Sequence, residues 1–331
     1  MSKLPVDRSS KVFVAGHKGM VGGALVRKLQ DQGFQNILTR SSIELDLRDR
    51  ARVLDFFQQQ QPAIVFLAAA KVGGILANDT YPADFLSDNL RIQLSVMDAA
   101  HDSGVERLVF LGSSCIYPKF AEQPIREEAL MTGALEPTND AYAVAKIAGI
   151  QHIQAMRKQH GHQWISVMPS NLYGPGDNYD PAGSHVLPAL IRRYVEAKAA
   201  GQTTITNWGT GTPLREFLYV EDLADACVFL LENYDSSEHI NVGSGEDLSI
   251  QALAEMVAEQ VGFTGETSWD TSKPDGTPRK LLDVSKINEL GWKATTGLRE
   301  GIRNSIRDFE SRRAELHKTK RSQISKKPAE F

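Results

Sequence analysis

Tyr142 and Lys146 stand four apart in Ala141-Tyr142-Ala143-Val144-Ala145-Lys146, a spacing that puts both on one helix face, one turn apart. A nearby ammonium favours tyrosinate and lowers the phenol's pKa toward neutrality. Such a phenol can give a proton to, or take one from, the oxygen of a carbonyl–alcohol centre. Tyr-x-x-x-Lys also occurs on ordinary helix surfaces, so the pair gains weight from what precedes it. Upstream, Gly112-Ser113-Ser114-Cys115-Ile116-Tyr117-Pro118 follows an apolar strand pattern and sets two hydroxyls and a thiol at a strand's carboxyl edge. Cys115 also fits the small buried hydrophobe that free cysteine commonly is.

The element that would hold a cofactor beside these groups is Lys11-Val12-Phe13-Val14-Ala15-Gly16-His17-Lys18-Gly19-Met20-Val21-Gly22. Strand, glycine turn and helix in this order aim backbone N–H groups and a helix N-terminus at a phosphate. Gly16 permits the tight turn, Gly19 lets a pyrophosphate approach the backbone, and Gly22 lets the helix pack on the strand. The spacing, G-x-x-G-x-x-G, is one residue longer than the G-x-G-x-x-G dinucleotide fingerprint. After the second strand stands Arg40 where an NAD-preferring site offers an acid, and Lys18 lies within the turn. Both cations suit a 2′-phosphate, which points to NADPH. The small residues Ala68, Ala69 and Ala70, after the third strand, let a flat ring or phosphate lie against the backbone.

Strand patterns at 11–15, 36–39, 63–67, 107–111 and 164–168 alternate with helical stretches at 20–32, 49–60, 82–103 and 141–160. That alternation predicts a Rossmann-type doubly wound parallel sheet of the α/β class. Residues 1–175 form the expected dinucleotide-binding domain, with strands at Glu216–Val220 and Glu238–Val242 woven back into its sheet. Residues 176–310 form a smaller, interleaved substrate-binding α/β region with helices near 187–200, 222–233, 249–261 and 297–310. From Ser311 the tail holds seven Lys or Arg against two Glu, which reads as a solvated, frayed, disordered terminus.

The 331 residues, 41% hydrophobic and 24% charged, describe an ordinary globular protein with room for a large core. A net charge of −4 argues against nucleic acid as partner. No apolar run approaches the ~18 residues of a membrane span, and none suits a signal peptide. Two cysteines make neither a disulfide framework nor a zinc site, so no metal is expected, and the setting reads as cytoplasmic.

With these motifs the chain resembles the extended short-chain dehydrogenase/reductase superfamily, and within it the enzymes that epimerise and reduce a 4-keto-6-deoxy nucleotide sugar. The resemblance runs through GHKGMVG (16–22), LAAAKVGGI (67–75), LGSSCIYPK (111–119), EPTNDAYAVAKIAGI (136–150), MPSNLYGP (168–175), GTPLREF (211–217) and SKPDGTPRKLLDV (272–284). It implies NADPH-dependent conversion of GDP-4-keto-6-deoxy-D-mannose to GDP-L-fucose. Ser113 and Tyr142 would bind the C4 oxygen, and Lys146 would hold the nicotinamide ribose. Cys115 and His185 would serve as acid and base at C3 and C5. Which does which stays open, and nothing but the resemblance marks His185.

The same resemblance implies a cofactor set of Gly16, His17, Lys18, Gly19, Met20, Val21, Gly22, Arg40, Asp46, Leu47, Ala68, Ala69, Ala70, Leu111, Gly112, Ser113, Ser114, Lys146, Pro169, Ser170, Asn171, Leu172 and His185. Asn171, Arg193, Trp208, Arg215 and Lys280 would meet the nucleotide-sugar substrate, and a homodimer would form through the helices at 82–103 and 141–160. Two alternatives stand beside this reading. One is an NAD-retaining nucleotide-sugar 4-epimerase or dehydratase, in which Cys115 with His185 would be superfluous. The other is a non-catalytic NADPH sensor, a class that commonly loses the tyrosine or lysine retained here.

Overall fold

The computed structural model describes Leu4 and residues 6–181, 183–273 and 275–324. In the first half the elements run β1 (Lys11–Ala15), α1 (Met20–Asp31), β2 (Asn36–Leu38), α2 (Arg50–Gln60), β3 (Ile64–Leu67), α3 (Ile75–Thr80), α4 (Pro82–Asp102), β4 (Arg107–Leu111), α5 (Asp140–His160) and β5 (Ile165–Pro169). The second half adds β6 (Asn171–Tyr173), α6 (Val186–Ala199), β7 (Thr204–Trp208), β8 (Leu214–Tyr219), α7 (Val220–Asn233), β9 (Ile240–Val242), β10 (Asp247–Ser249), α8 (Ile250–Val261), β11 (Glu266–Asp270), β12 (Arg279–Lys280), α9 (Ser285–Glu289) and α10 (Leu298–Ile324).

The main sheet is parallel throughout, in the order β2-β1-β3-β4-β5-β9. Parallel strands covered by helices on both faces read as unbroken apolar runs, as in Ile64-Val65-Phe66-Leu67, buried at every position. One face packs on α1 and α7 through Leu25, Leu29, Leu223, Cys227 and Leu231. The other packs on α2, α4 and α5 through Phe57, Val96, Met97 and Ile153. The strand order reverses between β1 and β3, so the crevice beyond their carboxyl ends is where such a sheet takes its ligand.

One sequence expectation fails at β8. The strand lies outside the main sheet and centres a second one, between antiparallel β10 and parallel β12, with β6 also paired to it. Glu216 fastens it there: its buried carboxylate accepts from Gly245 N at 2.8 Å and Leu282 N at 3.0 Å. Of the two strands expected to return, β9 alone joins the main sheet, and Val220 opens α7 instead of closing a strand. A third layer, β7 beside β11, had no counterpart in the sequence reading.

The tail also differs from expectation. Instead of fraying at Ser311, α10 continues to Ile324, because its Arg-, Ala-, Glu- and Lys-rich sequence favours helix. Residues 325–331 of that expected disordered tail lie outside the described residues.

Candidate active site

The glycine turn is built as the sequence anticipates. Gly16 has φ +90°, and a Cβ there would lie 2.8 Å from Ala69 N, so the turn crosses directly onto the end of β3. A Cβ on Gly22 would lie 2.2 Å from Gly16 O, which fixes how closely α1 meets the turn. Gly19 differs: a Cβ there meets nothing nearer than Gly16 O at 3.4 Å, so its missing side chain leaves room outside the protein. The start of α1 has neither a side-chain cap nor an acid in its first turn, among the described residues. Beside it, His17 Nδ1 is buried without a described hydrogen-bond partner. Bare N–H groups, a helix dipole and an orphaned imidazole nitrogen fit the diphosphate of a dinucleotide.

The other expected cofactor positions surround this crevice. Ala68, Ala69 and Ala70 follow β3 half-buried, while Leu111, Gly112 and Ser114 close β4. Gly112 lies so close to Met168 that a Cβ would come within 2.2 Å of its Cε. Pro169 ends β5, Ser170 N donates to Val242 O at 3.0 Å, and Asn171 Nδ2 donates to Glu216 O at 2.7 Å, with Leu172 next in β6. At the β2 edge, Arg40 lies over the Phe56 ring at 5.2 Å. Arg40 and Lys18 both pull down the carboxyl of Glu44, though less than its hydrogen bonds from the Ser41 hydroxyl and N–H. Glu44, missed in the sequence, is therefore an exposed anion that feels both proposed phosphate cations. Asp46 is held near pKa 2 by Arg48, 2.8 Å away, and Leu47 packs on the core beneath it.

Ser113, Cys115, Tyr142 and Lys146 lie together where β4 ends and α5 begins. Ser113 precedes a short 3-10 turn, Ser114–Ile116, and Cys115 N donates to its Oγ at 3.4 Å. Its hydroxyl hydrogen-bonds both the Tyr142 phenol and the Cys115 thiol. Lys146 is 3% exposed, and its Nζ donates to the Leu111 carbonyl at 2.7 Å while lying 5.8 Å from the Tyr142 ring centre.

The expected lowering of the Tyr142 pKa is not found. Burial, then the neighbouring Cys115, push the phenol far up, against the opposing Ser113 hydrogen bond. The balance shifts because Lys146 aims at a backbone carbonyl and is itself desolvated, down to about 8. The free site thus holds a neutral phenol, ready as a donor.

Cys115 is likewise pushed up by burial, against the pull of Lys280, Ser113 and Lys146. His185 immediately precedes α6, its surface exposed although the protein packs densely around it. Desolvation first, and Lys280 second, lower its pKa. One lysine therefore faces both the thiol and the imidazole.

Lys280 also stands directly opposite Arg215 in the β12–β8 register. Two cations side by side on adjacent strands repel unless an anion lies between them. Part of that role falls to Glu136, which pairs with Lys119 at 3.0 Å and lines one small cavity with Cys115 and Lys280. Arg193 reaches Asn207 Oδ1 at 2.5 Å from α6. Trp208 ends β7 with 64% of its surface exposed, so it is not a core ring. A larger open depression between Lys198 and Glu266 contains none of these groups.

Residues 12–243 match the model of the NAD dependent epimerase/dehydratase family. The chain belongs to that family. Within this epimerase/dehydratase family it is 60% identical over 296 residues to GDP-L-fucose synthase 1 of Arabidopsis thaliana, covering 89% of this chain and 92% of the relative. It is 48% identical over 308 residues to GDP-L-fucose synthase of Escherichia coli strain K12, covering 90% and 96%. The solved GDP-mannoheptose C4 reductase of Campylobacter jejuni with NADP bound superposes with a TM-score of 0.85 at 37% identity, covering 92% of this chain and all (100%) of that one. No helix among the described residues is long and apolar enough to cross a membrane.

Proposed function

We propose that the chain converts GDP-4-keto-6-deoxy-D-mannose to GDP-L-fucose with NADPH, by epimerisation at C3 and C5 followed by reduction at C4. The observation that carries this reading is the convergence of Ser113, Cys115, Tyr142 and Lys146 beside Lys280, which also faces His185. An epimerase that only recycles a hydride has no use for the thiol and imidazole.

The C4 ketone makes the protons on C3 and C5 acidic, because the carbanion delocalises onto the C4 oxygen. Ser113 and Tyr142 donate hydrogen bonds to that oxygen and stabilise its developing charge. Cys115 and His185 exchange protons on opposite faces of each carbon, and so invert it. When bound, the nicotinamide supplies the hydride for C4. Tyr142, held protonated by its burial, then gives its proton to the C4 oxygen. Lys146 holds the nicotinamide ribose. Lys280 and Arg215, with Arg193, hold the substrate's diphosphate, whose charge relieves their repulsion. Arg40 and Lys18 take the 2′-phosphate that distinguishes NADPH. Leu94 and Val144, 44% and 47% exposed on α4 and α5, fit a homodimer seam along those helices, in a cytoplasmic protein.

The test is NADPH oxidation with this substrate in deuterated water, followed by mass analysis. Two carbon-bound deuteriums in the reduced sugar are expected. Reduction without them would leave a simple ketoreductase, and no NADPH consumption would remove the reading.

A further inference from the structure

The stretch linking β3 to α4 touches three parts of the site, and the reaction steps above give it no task. Asn89, buried on α4, accepts from Lys71 N at 2.9 Å and donates to Lys71 O at 3.0 Å, which fixes where the stretch leaves the Ala68–Ala70 end of β3. Two residues on, a Cβ at Gly73 would lie 3.1 Å from Phe85 Cζ, and the Phe85 ring meets the Tyr142 ring edge-on at 6.4 Å. Gly74 faces the other way. Its N–H donates to Gly183 O at 3.1 Å, and a Cβ on it would lie 2.9 Å from Ser184 O. Those two carbonyls belong to the residues immediately before His185.

Asn78 stands behind the glycines. It is buried and spends its amide hydrogens on Gly73 O at 2.8 Å and Gly74 O at 3.1 Å, while its Oδ1 finds no partner among the described residues. An unpartnered buried oxygen is costly, so the side chain is committed to holding these two carbonyls. The peptide that meets the His185 loop is thus held rigidly from behind and packed with no room for a methyl group.

We propose that Gly74, clamped by Asn78, is a positioning residue for His185, holding the imidazole's loop at a fixed distance from the Tyr142 ring through the shared Gly73–Phe85 contact. The inference rests on the epimerase-reductase reading and adds a residue pair to it. A methyl at position 74 displaces the Ser184 carbonyl and carries the imidazole away from Lys280 and out of its dense surroundings.

The test follows solvent-deuterium incorporation into GDP-4-keto-6-deoxy-D-mannose without NADPH, across pH, in the wild type, Gly74→Ala and Asn78→Ser. The histidine limb is identified by its absence in His185→Gln. Hydride transfer is read separately, as first-turnover absorbance from GDP-L-fucose with NADP⁺. Incorporation is expected to fall at least about tenfold, with the histidine limb moved to higher pH as burial and the Lys280 charge are both relieved, while first-turnover hydride transfer stays within about twofold. A loss of amplitude with the limb unmoved would mean packing alone and overturn the proposal, as would unchanged incorporation. Should Gly74→Ala fail to fold, Asn78→Ser decides on the same criteria. A wild type that incorporates no carbon deuterium sinks the underlying reading and the proposal with it, whereas a normal wild type with unaffected variants sinks the proposal alone.

Discussion

Lys146→Met should remove a component of stability that depends on pH between 7 and 9. The side chain is 3% exposed and burial brings its pKa down to about 8, from an ordinary 10.5, with Cys115 opposing. That gap corresponds to ~3 kcal/mol of disfavoured charge in the fold. The unfolded chain keeps the proton over an interval in which the folded chain releases it, so stability rises with pH across it. Below pH 8 the penalty is in force; by about pH 10.5 it is gone. Folded Lys146 passes from about one-tenth deprotonated at pH 7 to about nine-tenths at pH 9, which relieves ~1.3 kcal/mol. Urea unfolding of wild type and variant at pH 7, 8 and 9 isolates this contribution, since groups common to both proteins cancel in the difference. The variant's stability relative to wild type should decrease by ~1.3 kcal/mol from pH 7 to 9. Parallel profiles, agreeing within about 0.3 kcal/mol, would refute the buried-ammonium account.

Three further outcomes are expected. Tyr142→Phe lowers NADPH oxidation by ~10²- to 10⁴-fold yet leaves NADPH binding in place by fluorescence titration, because only the proton donor is lost. Arg40→Ala raises the NADPH KM by about tenfold and leaves that of NADH unchanged; an equal effect on both would place Arg40 away from the 2′-phosphate. Lys280→Met weakens inhibition by GDP by ~10- to 100-fold in steady-state kinetics, while an unchanged inhibition constant would separate Lys280 from the diphosphate.

Local chemistry was legible in the sequence where it is set by spacing along one element. Tyr142 and Lys146 share a helix face because they are four apart, and Gly16 and Gly22 do what a turn between strand and helix requires, while Gly19 leaves its outer side open. The apolar runs of β1, β3 and β4 announced themselves because strands covered on both faces are apolar throughout, apart from the first residues Lys11 and Arg107. What depends on partners distant in sequence was not legible. The alternation Thr204-Ile205-Thr206-Asn207-Trp208 is a half-buried strand whose mate begins at Glu266. Lys280 meets Arg215 only through register, so no reading of either segment alone reveals the pair. The phenol's pKa went the wrong way for the same reason: the helix sets its distance to Lys146, but tertiary burial sets its solvation. Glu136 was missed because an acid among cations reads as a solvated surface charge until the fold encloses it, and Glu44, exposed as it is, because only the fold brings Lys18 near it.

The edge strand β9 makes the two halves inseparable at a single cut. It is contributed by the second half, yet pairs with β5, and α7 before it packs on α1 in the first half's core. Ending the chain after Tyr173 would expose the flank of β5 and strip the apolar face of α1. Transplanting the sugar-recognition portion of a relative onto this scaffold therefore calls for two inserts, one replacing 174–219 and one beginning after Gly243, with 220–243 retained as part of the host. Recombination between relatives is subject to the same constraint, so specificity in this architecture is exchanged in discontinuous pieces.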